Sequence, residues 1–360
     1  MKKILKIIGI LLLALILIAA VYVAYVFIAY YRIEDNQVLE PEQNSTQIMP
    51  VGTSTKIMSW NIGFGVYESD YGFFMDGGTE SRAWSKERLT ANIDNIAQKL
   101  LNEKADIYNI QEIDTDATRS YHVNEAEQIK GAFKTAGKNY SNVFAVNWDS
   151  PYLFYPFTCP IGSIKSGLLT MANYKITSSL RRSLPIETGF SKIIDLDRCY
   201  TASRIPADDG KELVLYNFHL SAYSSDVSIV ENQMKMLIED IQAEYEKGNY
   251  VIAGGDFNKD LLGDSSKYFG VSGEEFTWAR PINMAQFDNT NIHPVAPFDE
   301  KAPIPSGRNA DGPYNPEQFV ITIDGFLVTD NVIVENANVI NTEFENSDHN
   351  PVFMIFRLGK

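Results

Sequence analysis

From Ile7 to Tyr31 the chain carries no charged residue, a 25-residue run rich in Leu, Ile, Val and Ala. No other feature limits the fold as much. At 1.5 Å rise per residue, a helix of this length crosses the roughly 30 Å hydrocarbon core of a bilayer. Tyr22, Tyr25, Tyr30 and Tyr31 suit the outer interface, where amphipathic rings collect. A cleaved signal peptide is the rival reading. Its apolar stretch usually runs about 7 to 15 residues and ends at a small-residue site, and Ala19-Ala20-Val21-Tyr22 makes a poor one. A retained anchor is therefore expected over residues 1–32. Lys2, Lys3 and Lys6 precede the run and Glu34, Asp35, Glu40 and Glu42 follow it, which places the N-terminus in the cytoplasm and the remainder outside.

Charge sharpens this. The chain has 31 Lys and Arg against 46 Asp and Glu, a net of -15, and only Lys2, Lys3, Lys6 and Arg32 are charged before position 33. The part beyond the anchor thus carries -19, which disfavours nucleic acid, since a polyanion rewards surfaces that neutralise its phosphates. A locally basic groove remains compatible with that total. The 45% of hydrophobic residues can fill a large core and excludes a disordered chain, and 360 residues leave room for two or three domains. Cys159 and Cys199 are too few for a disulfide framework and suit no zinc site; one bridge or two buried thiols are both open.

Residues 33–55 are polar, with Pro, Asn, Ser and Thr, and read as a flexible stalk. The globular part is expected over 56–360. Lys56 to Trp60, Asp106 to Ile110, Glu212 to Phe218 and Tyr250 to Ala253 read as strands, Ser85 to Leu101 and Val227 to Tyr245 as helices. Ser224, Ser225 and Asp226 offer N-caps to the second helix. The last third, with Phe319 to Val328, Val332 to Val334 and Val352 to Phe356, reads as strand-rich, and the mixture predicts a layered α/β or α+β domain. Two stretches break the rhythm: 148–160, dense in aromatics and proline, and 281–318, rich in Pro and Asn. The first reads as a satellite core or as a lip beside the anchor, facing membrane or substrate.

Polar residues gather at the ends of the apolar strands, where a sheet aims side chains into a shared crevice. Asn61 follows Lys56 to Trp60, Glu112 follows Asp106 to Gln111, and His219 follows Tyr216 to Phe218. Asp256 and Asn258 close Val251 to Gly255, Asp324 interrupts Phe319 to Val328, and Asp348-His349 precede the last strand. An Asn or Asp after a strand is ordinarily a turn or a cap. Eight such residues, all of types that bind a hard cation or move protons, make that reading inadequate for the set.

The segments Ser59-Trp60-Asn61-Ile62, Gln111-Glu112, Asn217-Phe218-His219-Leu220, Gly255-Asp256-Phe257-Asn258, Ile323-Asp324-Gly325-Phe326 and Ser347-Asp348-His349-Asn350-Pro351 occur in this order across residues 56–358. Taken together they resemble the endonuclease/exonuclease/phosphatase superfamily of metal-dependent phosphoesterases related to DNase I. The resemblance implies one domain with a four-layered α/β/β/α sandwich, two sheets face to face with helices outside, preceded here by one transmembrane helix. It implies Mg2+ as cofactor, with Mn2+ able to substitute, held by Glu112 with Asn61 and Asp348, and room for a second ion near Asp256 and Asn258. His349 would accept the proton of the attacking water or orient it, Asp324 would hold the imidazole, Asp256 would assist proton transfer, and Asn258 and His219 would donate to the phosphoryl oxygens.

The sequence departs from the family at two points. An Arg often follows the glutamate closely, whereas here Asp114 and Asp116 intervene before Arg119, and their charge is expected to repel a polyanion. Gly325 stands where a Tyr or Trp is common. His122 and His293 match no motif and read as surface or capping residues. The function implied is a phosphodiesterase or phosphatase on the outer side of the cytoplasmic membrane, acting on a lipid headgroup or small phosphoester. The alternatives are an extracytoplasmic nuclease with a groove of Arg181, Arg182, Arg198 and Arg204, and a catalytically silent phospho-ligand binder.

Overall fold

The computed structural model describes residues 1–189, 192, 196–222, 227–271, 276 and 278–359. It opens with α1 (Lys2–Ala29), an uninterrupted helix of 28 residues. Among the described residues α1 alone is long and apolar enough to cross a membrane, and a signal sequence would share that length and composition.

Two large sheets follow. The seven-stranded sheet runs, in spatial order, β1 (Gln37–Leu39), β6 (Ser178–Ser183), β7 (Cys199–Pro206), β8 (Glu212–His219), β9 (Tyr250–Asp256), β13 (Asp324–Thr329) and β10 (Ile292–Val295). The six-stranded sheet runs β14 (Val332–Val339), β15 (Val352–Leu358), β2 (Thr55–Asn61), β3 (Ile107–Asp114), β5 (Gly162–Ala172) and β4 (Ser141–Leu153). A ribbon of β11 (Gly307–Arg308) and β12 (Val320–Ile321) lies apart. Each large sheet holds one parallel pair, β2 with β3 and β8 with β9, and the other pairings are antiparallel. A parallel pair needs a crossover, and a helix supplies it each time: α2 (Lys86–Glu103) between β2 and β3, α4 (Val227–Glu246) between β8 and β9. The ends of β2, β3, β8 and β9 then carry Asn61, Glu112, His219 and Asp256.

The layers follow from which faces are apolar. In α2, Ser85 accepts the Arg88 N–H as N-cap, and Leu89, Ile93, Ile96, Ala97 and Leu100 are buried; this face and α3 (Glu125–Thr135) cover the six-stranded sheet. In α4, Met234, Leu237, Ile238 and Ile241 pack on the other sheet, while the expected caps Ser224, Ser225 and Asp226 lie outside the described residues. Between the sheets lie Ile57, Ile107, Leu213, Leu215, Ile252, Met354 and Phe356, each fully buried and each contributing about 1.5–3 kcal/mol of hydrophobic stabilisation. An amide seam runs through the same layer. Asn109 Nδ2 donates to the Tyr216 and Gly254 carbonyls at 2.9 and 3.0 Å, and Gln111 Nε2 donates to Asn217 Oδ1 at 2.8 Å. The amides of Gln111 and Asn217 in the sequence motifs thus stitch sheet to sheet beneath the crevice.

Residues 33–55 are not a free stalk. β1 pairs antiparallel with β6 from Gln37↔Arg181 to Leu39↔Ser179, Glu42 bridges Asn142, and Met49, fully buried, bridges Ala207. Polar residues that read as linker are the fasteners: Asn44 accepts the Ile176 N–H at 2.9 Å and donates to its carbonyl at 2.7 Å, and Ser45 Oγ donates to the Asn173 carbonyl at 2.9 Å. Composition misses this because the chain is ordered by pairing onto a sheet edge and carries no apolar run of its own. The stretch Phe319 to Val328 is also more divided than its hydropathy suggests, being split between β12 and β13, so that Asp324 begins a strand. Cys159 is exposed and Cys199 buried, both as free thiols.

Candidate active site

Glu112, His219, Asp256, Asn258, Asp348 and His349 line one pocket at the shared strand ends. Asn61 and Asp324 stand directly behind them. Asn61 Nδ2 donates to Glu112 Oε1 and to Asp256 Oδ2, both at 3.1 Å, so one amide bridges the six- and seven-stranded sheets. Its Oδ1 accepts the Gly63 N–H at 3.0 Å. His349 Nδ1 meets Asp324 Oδ2 at 2.8 Å, and its Nε2 faces Asp256 Oδ2 at 3.8 Å. His219 Nε2 lies 3.5 Å from Asp256 Oδ2 and 3.8 Å from Glu112 Oε1. The structure therefore brings all eight expected residues together.

Their supports are local. Trp60 Nε1 donates to the His349 carbonyl at 2.8 Å, and Ser347 Oγ donates to the Asn61 carbonyl at 2.8 Å while accepting the His349 N–H. Ser306 Oγ accepts the N–H groups of Ile323 and Asp324. Glu112 sits at φ +53° where the register of β3 and β5 slips between Ile110 and Ile113. A bulge with a left-handed residue re-aims a side chain out of the alternating pleat, and such strain in a non-glycine residue is typical of functional positions. Asn258 has φ +49° as well, its N–H donating to Asp256 Oδ1 at 2.8 Å and its Nδ2 to the Leu220 carbonyl at 2.9 Å. Gly255 must stay small, because a Cβ there would lie 2.0 Å from the Phe218 carbonyl oxygen.

Charge is distributed unevenly. Burial opposes a charge on His349, but Asp324, Asp348 and Asp256 outweigh it and hold the imidazole well above its usual range. His219 goes the other way: burial, then the charges of Arg198 and His349, hold it well below, and its Nδ1 has no partner. Asp256 is pushed up to about 7 by burial, with Asp324 adding to the shift and His349, Asn258 and Asn61 opposing it. Asp348 is raised by burial and by Glu112, against the pull of His349 and Arg308. At neutral pH the pocket thus pairs a protonated imidazole with a neutral one, beside a carboxyl poised near neutrality.

Among the other walls of the pocket, sequence reasoning named Arg119, Trp148 and Arg198 and missed Asn147, Arg308 and Asn309. Arg119 lies in it, held by Asp114 through two bonds of 2.9 Å and stacked with its guanidinium carbon 3.5 Å from the Phe64 ring centroid. Asp114 is therefore a buried partner and not the repelling charge expected; Asp116 is exposed and bonded to His122. Arg308 and Asn309 come from the Pro- and Asn-rich 281–318 stretch. Asn147, Trp148 and Arg198 close the far side, with Asn147 Nδ2 and Trp148 Nε1 unpartnered. Gly325 is explained by crowding, since a Cβ would meet Leu261 Cδ1 at 2.6 Å and the Val295 carbonyl at 2.8 Å, so a large side chain has no room there. His293 is exposed and bonded to Asp330.

Asp256, Asp324 and His349 each offer a ligand atom within 4.8 Å of one another and could hold a metal ion. A family model, "Endonuclease/Exonuclease/phosphatase family", matches residues 58–349, a span that contains all eight residues of this constellation. The chain belongs to that family. Its enzymes hydrolyse phosphoester bonds and generally depend on a divalent metal. Similar solved structures include an endonuclease/exonuclease/phosphatase from Beutenbergia cavernae (TM-score 0.58, 16% identity, covering 85% of this chain and 72% of that one). Another is a family protein from Leptotrichia buccalis (TM-score 0.55, 14% identity, 84% and 100% covered). A third is ANGEL2, a 2',3'-cyclic phosphatase, in complex with adenosine-2',3'-vanadate (TM-score 0.55, 15% identity, 91% and 99% covered). Identities this low speak for the shared fold. Comparison with curated proteins finds no match.

Proposed function

We propose that this phosphoester hydrolase is a Mg2+-dependent phosphodiesterase or phosphatase, anchored by α1, with its pocket on the outer side of the cytoplasmic membrane and a lipid headgroup or small phosphoester as substrate. The observation that carries it is the single bonded cluster in which Asn61 joins Glu112 to Asp256 while Asp324 holds His349. Glu112, Asn61 and Asp348 offer the hard oxygen donors that Mg2+ or Mn2+ takes, and burial, with the Glu112 charge adding to it, raises Asp348 in a way that a cation would relieve. When bound, the ion supplies charge neutralisation at the phosphoryl and leaving oxygens. A second ion near Asp256 and Asn258 fits as well, since Asp256, Asp324 and His349 offer ligand atoms within 4.8 Å of one another.

The chain's own groups handle the protons. Asp256, titrating near neutrality, is suited to take the proton of the attacking water. His349, kept protonated and oriented by Asp324, presents Nε2 toward Asp256 and the pocket, where it orients the water or a phosphoryl oxygen. Neutral His219 adds a donor, with Asn258 beside it. The nuclease alternative keeps only part of its groove: Arg198 lines the pocket, whereas Arg181 is buried against the Val146 and Asp197 carbonyls, Arg182 pairs with Asp240, and Arg204 pairs with Glu212 and Glu244. A silent binder has no use for the complete proton network.

The test is a panel of DNA, RNA, sphingomyelin, glycerophospholipids, inositol phosphates and a chromogenic diester, given to the full-length protein with and without Mg2+. Metal-dependent release from a phosphoester, abolished by Glu112→Ala and by His349→Ala, is expected. Equal turnover by parent and variants would refute the site. Protease protection of the catalytic domain in intact cells would reverse the orientation.

A further inference from the structure

The end of β4 and the loop after it expose three large aromatic side chains within four residues: Phe154 at 49%, Tyr155 at 60% and Phe157 at 76%. Beyond α1, no other stretch of the described residues does so. Water-facing aromatics grouped in this way mark a contact surface.

One side of the group is tied to the anchor. Tyr22 Oη donates to the Tyr152 carbonyl at 3.2 Å and accepts the Phe154 N–H at 2.9 Å, and Tyr25 Oη accepts the Tyr152 N–H at 3.1 Å. The Tyr22 and Phe154 rings meet edge to face, centroids 6.3 Å apart. The other side reaches the catalytic mouth. Tyr155 packs on Phe74 at 5.7 Å, Phe74 on Phe73 at 4.7 Å, and both Phe73 and the half-exposed Met75 line the pocket. Aromatic contacts thus run from the helix to Phe154 and, from the next residue, Tyr155, through Phe74 and Phe73 to the active-site rim.

Depth decides what covers it. With Lys6 at the inner boundary, about 20 helical residues fill the roughly 30 Å hydrocarbon core, which ends near Val26. Tyr25 and Tyr22 then lie about 2 and 6 Å short of that limit. Backbone at this depth must have its polar groups satisfied by protein. β4 is an edge strand with no further partner at its end, and the two tyrosine hydroxyls supply what is missing. We infer that Phe154, Tyr155 and Phe157, with Met75, form a lip seated in the outer interface of the bilayer that α1 spans. The catalytic mouth then opens on lipid headgroups, and the substrate is a phosphoester carried by the membrane. This rests on the reading of the pocket as a phosphoester hydrolase and of α1 as a retained anchor.

The native thiols allow a test on the full chain, because Cys159 is exposed beside the lip while Cys199 is buried. Cys159 carries a bimane label in nanodiscs of phosphatidylcholine and phosphatidylglycerol, with nitroxide lipids spin-labelled at shallow or deep positions. Several-fold quenching by shallow nitroxides and less by deep ones is expected; an unquenched label overturns the lip. The variant Phe154→Ser/Tyr155→Ser/Phe157→Ser is compared with the parent on phospholipid in the same discs and on a soluble chromogenic diester. A fall of about tenfold or more on the lipid alone is expected, since each ring loses its burial. Equal losses on both substrates overturn the proposal, as does a label shielded only in a dimer, which would make a second copy the occupant. A quenched label with no turnover of either substrate by the parent removes the hydrolase reading and leaves the seated lip standing.

Discussion

At the floor of the pocket each polar side chain answers to another: Asn61 to Glu112 and Asp256, His349 to Asp324, Asp114 to Arg119. At the rim, the rings of Phe154, Tyr155 and Phe157 meet other aromatic rings, those of Tyr152, Phe74 and the anchor's Tyr22 among them. The floor is overdetermined, held by bonds from β2, β3, β9 and β13 and by a bulge, and it fixes the chemistry. The rim is exposed, and in the proposal above it selects what arrives. Chains that share a fold at about one residue in six can therefore differ in what they act on.

The largest expected effect breaks the floor alone. His349→Ala should lower kcat by about 10²–10⁴-fold, the usual worth of positioned proton transfer, and equally on a soluble diester and on a lipid, in steady-state assays. Asp114→Ala comes next. It leaves the Arg119 charge buried without its partner, a loss of about 3–5 kcal/mol in urea denaturation, and Arg119 no longer stands where the pocket needs it.

Asp256→Asn should separate stability from activity. Its folded pKa, about 7, lies above the unfolded value of about 3.9, so between those limits the folded state keeps a proton that the unfolded chain releases. Stability contributed by this group is thus full below about pH 4 and falls as pH rises to about 7. In metal-free thermal melts the variant should lack that part of the decline and be inactive throughout. The smallest change tests the rim's attachment: Tyr25→Phe removes one hydroxyl from the Tyr152 N–H, costs about 0.5–1.5 kcal/mol in thermal unfolding, and leaves soluble-diester turnover unchanged.

Much of the floor was legible in the chain because apolar strands ending in Asn, Glu, His or Asp form a pattern that periodicity exposes. Legibility stops where one residue's conformation depends on a distant one. The left-handed backbone of Glu112 comes from a slip against β5, and the bond of Arg119 to Asp114 reverses a repulsion that spacing suggests. β1 was hidden for the same reason, three residues ordered by the edge of β6. The 148–160 stretch divides between both expectations, Trp148 buried in the pocket wall and the aromatics after it exposed.

That short strand sets the enzyme's working radius. With β1 on the sheet edge and Arg32 paired with Asp197 at 2.7 Å, almost no slack remains between helix and domain. On a bilayer such a molecule cannot swing outward to forage. With the anchoring and the lip proposed above, it would turn over what drifts laterally beneath it, so its rate should track the two-dimensional density and mobility of its substrate, and material fixed even a few nanometres above the membrane would stay out of reach.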